Sequence, residues 1–260
     1  MSFHDLHNLC ILVTRPKPQG DLLCEKIAAL GGQPVHLPTI QINPIQLHKQ
    51  IVQMDQWDWL IFISPHTVLQ GLPLIREYWP IFPDKIKLAA IGEGTANALR
   101  AAGFAEVVYS ADEWSSEGLL KLACFQAISG KKIALVRGEG GREILTDVLT
   151  MRGANVISLI VYQRTLPDYK NIEQYLNLFR LQKIDIIVCA SGESLHNLMK
   201  LIGSANQSLL LGVAIVVVSS RLVELAKEAG FKKVFLAANA SHNAIIATLC
   251  HIRGKGHVRE

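Results

Sequence analysis

Arginines stand directly after several apolar runs of this 260-residue chain, or close to them, where they could bind an anion. They are Arg15, Arg137, Arg142, Arg164 and Arg221. A guanidinium group forms paired hydrogen bonds with carboxylate or phosphate oxygens. The set predicts a ligand that carries several carboxylates, although salt bridges at the rim of a domain would use the same residues.

Small polar residues also follow apolar runs, at points where helical stretches begin. They are Ser64, Gly92, Thr95, Gly138, Ser191, Ser219 and Ser220. Serine is a good helix N-cap, and a helix N-terminus presents N–H groups and a partial positive charge that suit carboxylates. In a parallel sheet these strand ends gather at one edge. The residues are therefore either caps alone or part of a substrate-binding edge.

Tyr162 and Arg164 end the apolar run that begins at Ser158. Alternate residues of a strand share a face, so both side chains should point the same way. A phenol, with a pKa of about 10, is protonated at neutral pH and can donate a proton. Tyr162 is therefore a candidate catalytic acid, with simple packing as the alternative.

The motifs of several common site classes are absent from the sequence. The two Gly-x-Gly segments lack the third glycine of a dinucleotide site, and there is no Walker-type lysine or Gly-x-Ser-x-Gly elbow. The five cysteines are far apart and form no Cys-x-x-Cys pair. Neither a disulfide framework nor a zinc site is expected.

The composition is that of a soluble globular protein, with 50% apolar and 18% charged residues. A net charge of +4 permits an anionic small substrate but does not indicate nucleic acid binding. The longest apolar run, 209–218, is short of the roughly 20 residues that span a bilayer, so no membrane association is expected. The first residues lack the basic start and apolar core of a signal peptide, which predicts a cytoplasmic protein.

Continuous apolar runs alternate with amphipathic stretches along the whole chain. The runs are Cys10–Val13, Trp59–Ile63, Leu88–Ile91, Ile133–Val136, Val156–Val161, Ile184–Ala190, Val213–Val218 and Val234–Ala238. Strands that are apolar on both faces and alternate with helices indicate parallel sheets covered by helices on both sides. The predicted class is α/β.

The chain also repeats itself. A shift of 127 residues lays Asp58–Ser64 over Asp185–Ser191, and a shift of 122 lays Ile11–Arg15 over Ile133–Arg137. The order is thus A, B, A′, B′, and two pairings are open. Either the units are contiguous, or A pairs with B′ and the segment between them is an inserted domain. The second arrangement would need two extended crossings, at 38–44 and 160–167.

The repeat supplies a comparison for Tyr162. Under the shift of 122 residues, Tyr162 corresponds to Ile40, and Arg164 corresponds to Ile42. The A copy builds its crossing from two isoleucines, so the scaffold itself requires neither a phenol nor a guanidinium there. This difference favours a functional role for Tyr162.

Five short motifs, in this order and spacing, resemble the uroporphyrinogen-III synthase family. They are ILVTRP at 11–16, FISPxxV at 62–68, IGxxTA at 91–96, RGxGGR at 137–142 and VYxR at 161–164. The resemblance extends from Ile11 to about Leu249. Where the family often has Thr before the motif serine, this chain has Ile63, and it has Ala190 in the second copy. Backbone N–H groups are therefore the expected donors to substrate.

The resemblance implies two similar α/β domains, the second inserted into the first, with a two-stranded β-ladder as hinge. Domain one would comprise residues 1–39 and 165–260, and domain two residues 42–161. The connecting strands would be 38–44 and 160–167. In this family the tetrapyrrole binds in the cleft between the domains.

The resemblance further implies a lyase that cyclises hydroxymethylbilane to uroporphyrinogen III, with inversion of ring D and loss of water, in heme and other tetrapyrrole biosynthesis. Tyr162 would be the general acid, and no metal or organic cofactor would be needed. The enzyme would be a monomer that receives its substrate from hydroxymethylbilane synthase. A hinged two-domain ligand-binding protein, or a tetrapyrrole-binding homologue without activity, remains the alternative.

Overall fold

A computed structural model describes residues 5–45, 51–141 and 143–254 of the chain. It divides into two compact units. Unit 1 comprises Met1–Gln41 and Thr165–Glu260, and unit 2 comprises Ile42–Arg164. Arg142, one of the arginines singled out above, lies outside the described residues.

The described segments contain ten strands and ten α-helices, with short 3-10 helices at Ile51–Gln56, Ala123–Phe125 and Ser204–Asn206. The strands are β1 (Cys10–Val13), β2 (Gln33–His36), β3 (Gln41–Pro44), β4 (Trp59–Phe62), β5 (Lys87–Ala90), β6 (Lys132–Gly138), β7 (Asn155–Thr165), β8 (Ile186–Cys189), β9 (Ala214–Val217) and β10 (Val234–Leu236). The helices are α1 (Gln19–Ala29), α2 (Pro65–Tyr78), α3 (Glu93–Ala101), α4 (Ser116–Lys121), α5 (Ile144–Met151), α6 (Glu173–Arg180), α7 (Gly192–Ile202), α8 (Gln207–Leu211), α9 (Ser220–Glu228) and α10 (His242–Gly254).

Unit 1 is built on a parallel sheet with strand order β10-β9-β8-β1-β2. Successive residues of β8 point to opposite faces, as strand geometry requires. Ile186 and Val188 pack into one apolar cluster, which includes Leu23 of α1 and Ile245 of α10. Ile187 belongs to the opposite cluster with residues of α6, α7 and α9. Helices therefore cover both faces of the sheet.

Unit 2 repeats this plan, with strand order β3-β7-β6-β4-β5. Strands β4 to β7 run parallel. Leu60 and Phe62 of β4 pack on the face covered by α2 and α3. Trp59 and Ile61 pack on the other face, against residues of α4 and α5. β3 lies beside β7, and the Ile45 amide donates to the Val161 carbonyl at 3.0 Å.

The predicted class, α/β with parallel sheets, is confirmed, and a strand lies within each predicted apolar run or overlaps it. Two elements differ from the prediction. β2 was not predicted, because Pro34 interrupts a segment that has few apolar residues. β7 does not end at Val161, because it continues to pair with β6 and runs through Tyr162 to Thr165. No described helix combines the length and hydropathy that crossing a membrane requires.

Candidate active site

Tyr162 lies in the last third of β7, and its side chain is buried in unit 2. Only 2% of the residue is exposed, and its ring packs in the apolar cluster that includes Val68 of α2 and Val136 of β6. A buried aromatic ring has few rotamers available. The position of the phenol oxygen is therefore set by the core of unit 2.

A register shift between β6 and β7 makes room for this ring. Arg137 is paired with Ile160, but the next residue, Gly138, is paired with Tyr162, so that Val161 is an extra residue on β7. A Cβ atom on Gly138 would lie 2.4 Å from the Tyr162 ring and 2.8 Å from its Oη. Gly138 is thus required by the close approach of the ring, and the predicted substrate-binding residue supports the predicted catalytic one.

Arg164 lies two residues beyond Tyr162 and contacts it directly. Its Nη2 donates a hydrogen bond to the Tyr162 Oη at 3.3 Å, and its guanidinium carbon lies 5.7 Å from the centre of the ring. The His66 ring, in the first turn of α2, is centred 6.4 Å from the Tyr162 ring. The expectation that Tyr162 and Arg164 share a face is confirmed, and the phenol oxygen has a cationic donor.

Ser64 is the N-cap of α2, two residues after the end of β4. Its Oγ accepts from the Thr67 amide at 3.3 Å, and its own amide donates to the Thr67 Oγ1 at 3.2 Å. This reciprocal capping box, with Pro65 at the first helical position, fixes where the helix begins. The Ser64 oxygen is therefore a capping acceptor.

Gly92 and Thr95 occupy the start of α3, after β5. Gly92 is the N-cap with φ of +78°, a left-handed conformation that glycine adopts readily. Thr95 is buried, and its Oγ1 donates to the Ile91 carbonyl at 3.0 Å. The N-terminus of α3 thus lies at the carboxyl end of β5, but the threonine hydroxyl proton is used within the helix.

Arg137 is buried at the end of β6, with a side chain that is 5% exposed. Its Nη1 donates to the Glu143 carboxylate at 2.7 Å, and its Nη2 donates to the Gly140 carbonyl at 2.8 Å. The hydrogen bond from Arg137 lowers the pKa of Glu143, and Thr146 contributes to the same shift. Two of the three nitrogens of this predicted substrate-binding residue therefore hold Gly140 and Glu143, which follow β6.

The predicted serines of unit 1 stand at the ends of neighbouring strands. Ser191 follows β8 and caps α7, where its Oγ accepts from the Ser194 amide at 3.0 Å. Ser219 follows β9 and caps α9 with a longer bond of 3.4 Å to the Leu222 amide. Ser220 is the first residue of α9 and is exposed. Unit 1 thus offers two adjacent helix N-termini at one sheet edge.

Arg15 follows β1, the strand next to β8. Its Nη1 donates to the Ala240 carbonyl at 2.9 Å, and burial lowers the pKa of its guanidinium from the usual value. The contact ties the end of β1 to the segment before α10. As with Arg137, part of the predicted binding group has a partner within its own unit.

A buried chain of hydroxyl groups in unit 1 was not predicted. The Ser194 Oγ lies 2.6 Å from the Thr39 Oγ1 and 2.9 Å from the Thr14 Oγ1, which donates to the Val188 carbonyl at 2.8 Å. Each hydroxyl has one proton, so the bonds run from Thr39 to Ser194 to Thr14 and then to the carbonyl. These residues are far apart in sequence, and no local pattern indicates their contact.

The candidate site residues thus fall into two groups, one in each unit. The group in unit 2 is Ser64, Gly92, Thr95, Arg137, Gly138, Tyr162 and Arg164, and the group in unit 1 is Arg15, Ser191, Ser219 and Ser220. Within the described segments, no group of three or more His, Cys, Asp or Glu side chains could hold a metal ion. In each unit the residues surround the carboxyl ends of parallel strands, which is the usual ligand edge of an α/β sheet.

The family model and the sequence relatives that match this chain all belong to one family. The family model described as "Uroporphyrinogen-III synthase HemD" matches residues 21–247. The chain is 35% identical over 249 residues to a uroporphyrinogen-III synthase of Escherichia coli K12, covering 93% of this chain and 100% of the relative. It is 32% identical over 249 residues to the same enzyme of Salmonella typhimurium, with 93% and 100% coverage.

Solved structures agree in fold. A uroporphyrinogen III synthase mutant from Thermus thermophilus superimposes with a TM-score of 0.61 at 17% identity, covering 96% of this chain and 98% of that one. A uroporphyrinogen-III synthetase from Helicobacter pylori gives 0.59 at 14% identity, with 96% and 99% coverage. At these identities the likeness concerns the fold alone.

Proposed function

Because the chain belongs to the uroporphyrinogen-III synthase family, we propose that it is a lyase that cyclises hydroxymethylbilane to uroporphyrinogen III, with inversion of ring D and loss of water. The substrate is a linear tetrapyrrole with a hydroxymethyl group on ring A and acetate and propionate arms on every ring. Such a reaction needs a proton donor for the departing hydroxyl group, donors for the carboxylates and an ordered chain.

Tyr162 is the proposed proton donor. As the bond between the ring A methylene carbon and its hydroxyl oxygen breaks, the phenolic proton passes to that oxygen and water leaves. The electron pair of the pyrrole nitrogen forms the azafulvene cation, and the substituted carbon of ring D attacks it to give a spiro intermediate. Fragmentation, reclosure and loss of one ring proton give the product, and that proton restores the phenol.

The contact of Arg164 with Tyr162 is the observation that carries this proposal. When the phenol loses its proton, the negative charge that develops on Oη lies next to the Arg164 donor, at 3.3 Å. A preorganised charged donor stabilises such a charge without reorganisation of the site. Gly138 leaves the space that the Tyr162 ring occupies, because a Cβ atom at this position would collide with the ring.

Four helix N-termini are proposed to bind the carboxylate arms of the substrate. In unit 2 they are the starts of α2 at Ser64 and of α3 at Gly92, and in unit 1 those of α7 at Ser191 and of α9 at Ser219. Each cap follows a parallel strand after one intervening residue. Backbone N–H groups of the first helical turns and the helix dipoles are the proposed donors, because the first N–H groups of a helix have no partner within it.

The remaining proposals concern where the enzyme works and with what. Hydroxymethylbilane closes spontaneously to the type I isomer, so direct transfer from hydroxymethylbilane synthase would limit its loss. We infer that the chain works as a cytoplasmic monomer that receives its substrate in this way. Each of these statements rests on the family and not on a contact in unit 1 or unit 2.

Product analysis tests the proposed function. The purified chain is mixed with freshly prepared hydroxymethylbilane, and the products are oxidised and separated into uroporphyrin isomers. Uroporphyrin III well above the spontaneous isomer I background is expected. Isomer I alone would contradict the proposal. A binding protein without activity would give isomer I while still showing saturable binding of the tetrapyrrole by calorimetry.

A further inference from the structure

A cavity of about 310 Å³ lies within unit 2, on the opposite face of the sheet from Tyr162. Its walls include Ile63, Ile91, Leu135 and Leu145, which pack with the apolar cluster under α4 and α5. Ile63 and Ile91 follow the carboxyl ends of β4 and β5, Leu135 lies in the middle of β6, and Leu145 lies in α5. The volume is at the lower end of the range for small-ligand sites, roughly 300–1,000 Å³, and suits a single substituted ring.

Trp114 stands at this cavity and is 64% exposed. Trp114 lies close to Gly92, since a Cβ atom on that glycine would be 2.9 Å from the Trp114 Cβ. Trp114 is thus placed beside the start of α3, which is part of the proposed site. An exposed indole face is a good surface for a planar ring.

Arg137 supplies a buried donor in the wall of the same cavity. Its Nη1 and Nη2 are occupied by Glu143 and the Gly140 carbonyl, but its Nε has no hydrogen-bond partner among the described residues. A buried N–H group without a partner is unfavourable, and a carboxylate is its natural acceptor. The side chain therefore offers one further charge-assisted hydrogen bond.

Polar groups of the 115–117 segment complete the lining. The Ser115 Oγ donates to the Glu113 carboxylate at 2.9 Å and accepts from the Gly118 amide at 3.0 Å, and Ser116 and Glu117 are the other polar residues of the wall. The Ser115 oxygen has a second lone pair for a donor, so a ligand that fits this place presents a donor as well as an acceptor. A pyrrole ring has an N–H donor, and an acetate or propionate arm is the acceptor.

We propose that Trp114 and Arg137 form a subsite for one pyrrole ring of the substrate, with the ring against the indole and one carboxylate arm at the Arg137 Nε. The inference rests on the proposed function, since that function supplies the tetrapyrrole. Trp114 acts as a positioning residue: it holds one ring of a flexible chain and does not touch the departing hydroxyl. The subsite should therefore affect substrate affinity more than the chemical step.

Kinetics of a Trp114→Ala variant test the subsite, with Tyr78→Ala as control. Tyr78 is another exposed aromatic residue of unit 2, 45% exposed, and it does not line the cavity. For Trp114→Ala we expect KM for hydroxymethylbilane to rise about tenfold, with kcat within twofold of the wild type, since aromatic stacking and ring burial contribute mainly to binding. Trp114→Phe should retain most of the affinity, and Tyr78→Ala should match the wild type. A wild-type KM in Trp114→Ala would overturn the subsite.

A binding measurement separates this inference from the proposed function. The wild type is titrated with a monopyrrole that carries one acetate and one propionate arm, and its tryptophan emission is followed. A saturable change is expected that disappears in Trp114→Phe, which retains the other three of the four tryptophans. If the wild type makes no isomer III but shows this change, only the proposed function fails. Only the subsite fails if isomer III forms, the monopyrrole leaves the emission of the wild type unchanged, and Trp114→Ala has the KM of the wild type.

Discussion

The crossing from unit 1 into unit 2 and the crossing back occupy equivalent positions of the internal repeat, but their side chains differ in chemistry. On the way in, the chain has Ile40, which is buried in unit 1, and Ile42, which packs on the core of unit 2. On the way back, Tyr162 and Arg164 occupy the corresponding positions and are joined by a hydrogen bond. Two isoleucines suffice for the connection itself. The polar pair therefore serves something other than the connection.

The most direct test of this difference between the two crossings is to remove the phenolic hydroxyl of Tyr162. For Tyr162→Phe we expect kcat to fall about 100-fold or more, because a general acid typically contributes ~10²–10⁴-fold. KM should change little, and the thermal midpoint should stay close to that of the wild type, since the exposed Arg164 can bind water instead. Formation of uroporphyrin III is the measurement. Wild-type turnover in a folded Tyr162→Phe protein would exclude Tyr162 as the acid.

Gly138 tests whether the scaffold of unit 2 is adapted to the phenol. Gly138→Ala places a methyl group against the Tyr162 ring, and we expect a loss of about 1–3 kcal/mol in the free energy of unfolding. Urea denaturation measures it. Gly212→Ala is the matched control, because Gly212 has an ordinary φ of −82° and nothing lies within 4 Å of its added Cβ. Equal stability of the two variants would mean that the ring can move aside at no cost.

Arg164→Ile gives the return crossing the residue type of the other crossing. We expect kcat to fall about tenfold, because the developing phenolate loses a charge-assisted hydrogen bond. Arg164→Lys retains a cation and should recover part of the loss. If the Ile and Lys variants have the same kcat, charge at this position does not assist Tyr162.

The smallest expected effect concerns the equivalent strand-end arginines. Arg137 bonds the Glu143 carboxylate, whereas Arg15 bonds the Ala240 carbonyl, which does not titrate. The pKa of Glu143 is lowered in the folded protein, so its ion pair stabilises unit 2 above the usual carboxyl pKa of 4.5 and is lost as the pH falls through the lower folded value.

A comparison of thermal midpoints measures this effect. Glu143→Gln should melt slightly below the wild type at pH 7, and the difference should shrink as the pH falls below 4.5. Glu106→Gln, at an exposed carboxylate of unit 2 that lies outside any helix, is the control. A difference that persists unchanged at low pH would show that the ion pair is not its source.

The sequence predicted most of the strands because a sheet covered on both faces needs residues that are apolar on both sides. It did not predict β2, where contacts with β1 override a weak local pattern. The division of the chain could not be derived from periodicity, because A with B and A with B′ give the same pattern. In the structure β1 pairs with β8. The Cys10 amide, at the start of β1, donates to the Asp185 carboxylate, which is 175 residues away in sequence.

Some residues of the candidate site could be predicted from the sequence, and others could not. Tyr162 was found because the internal repeat offered a comparison at the same position. The pairing of Arg137 with Glu143 was not found, because side-chain partners depend on the course of a glycine-rich loop. Trp114 gave no signal, because neither its neighbours in sequence nor a repeat counterpart indicated the cavity.

The extra residue in β7 has a consequence for how the site could arise or be lost. Side chains along a strand point alternately to its two faces, and the extra residue Val161 shifts this alternation by one position. Val161 and Tyr162 are adjacent in sequence, yet both belong to the same apolar cluster. Upstream of the shift β7 supplies ordinary core residues, and downstream it presents the phenol and the guanidinium. If Val161 were paired in regular register instead of being an extra residue, strict alternation would turn the Tyr162 ring to the opposite face of the sheet, away from the cluster that now holds it.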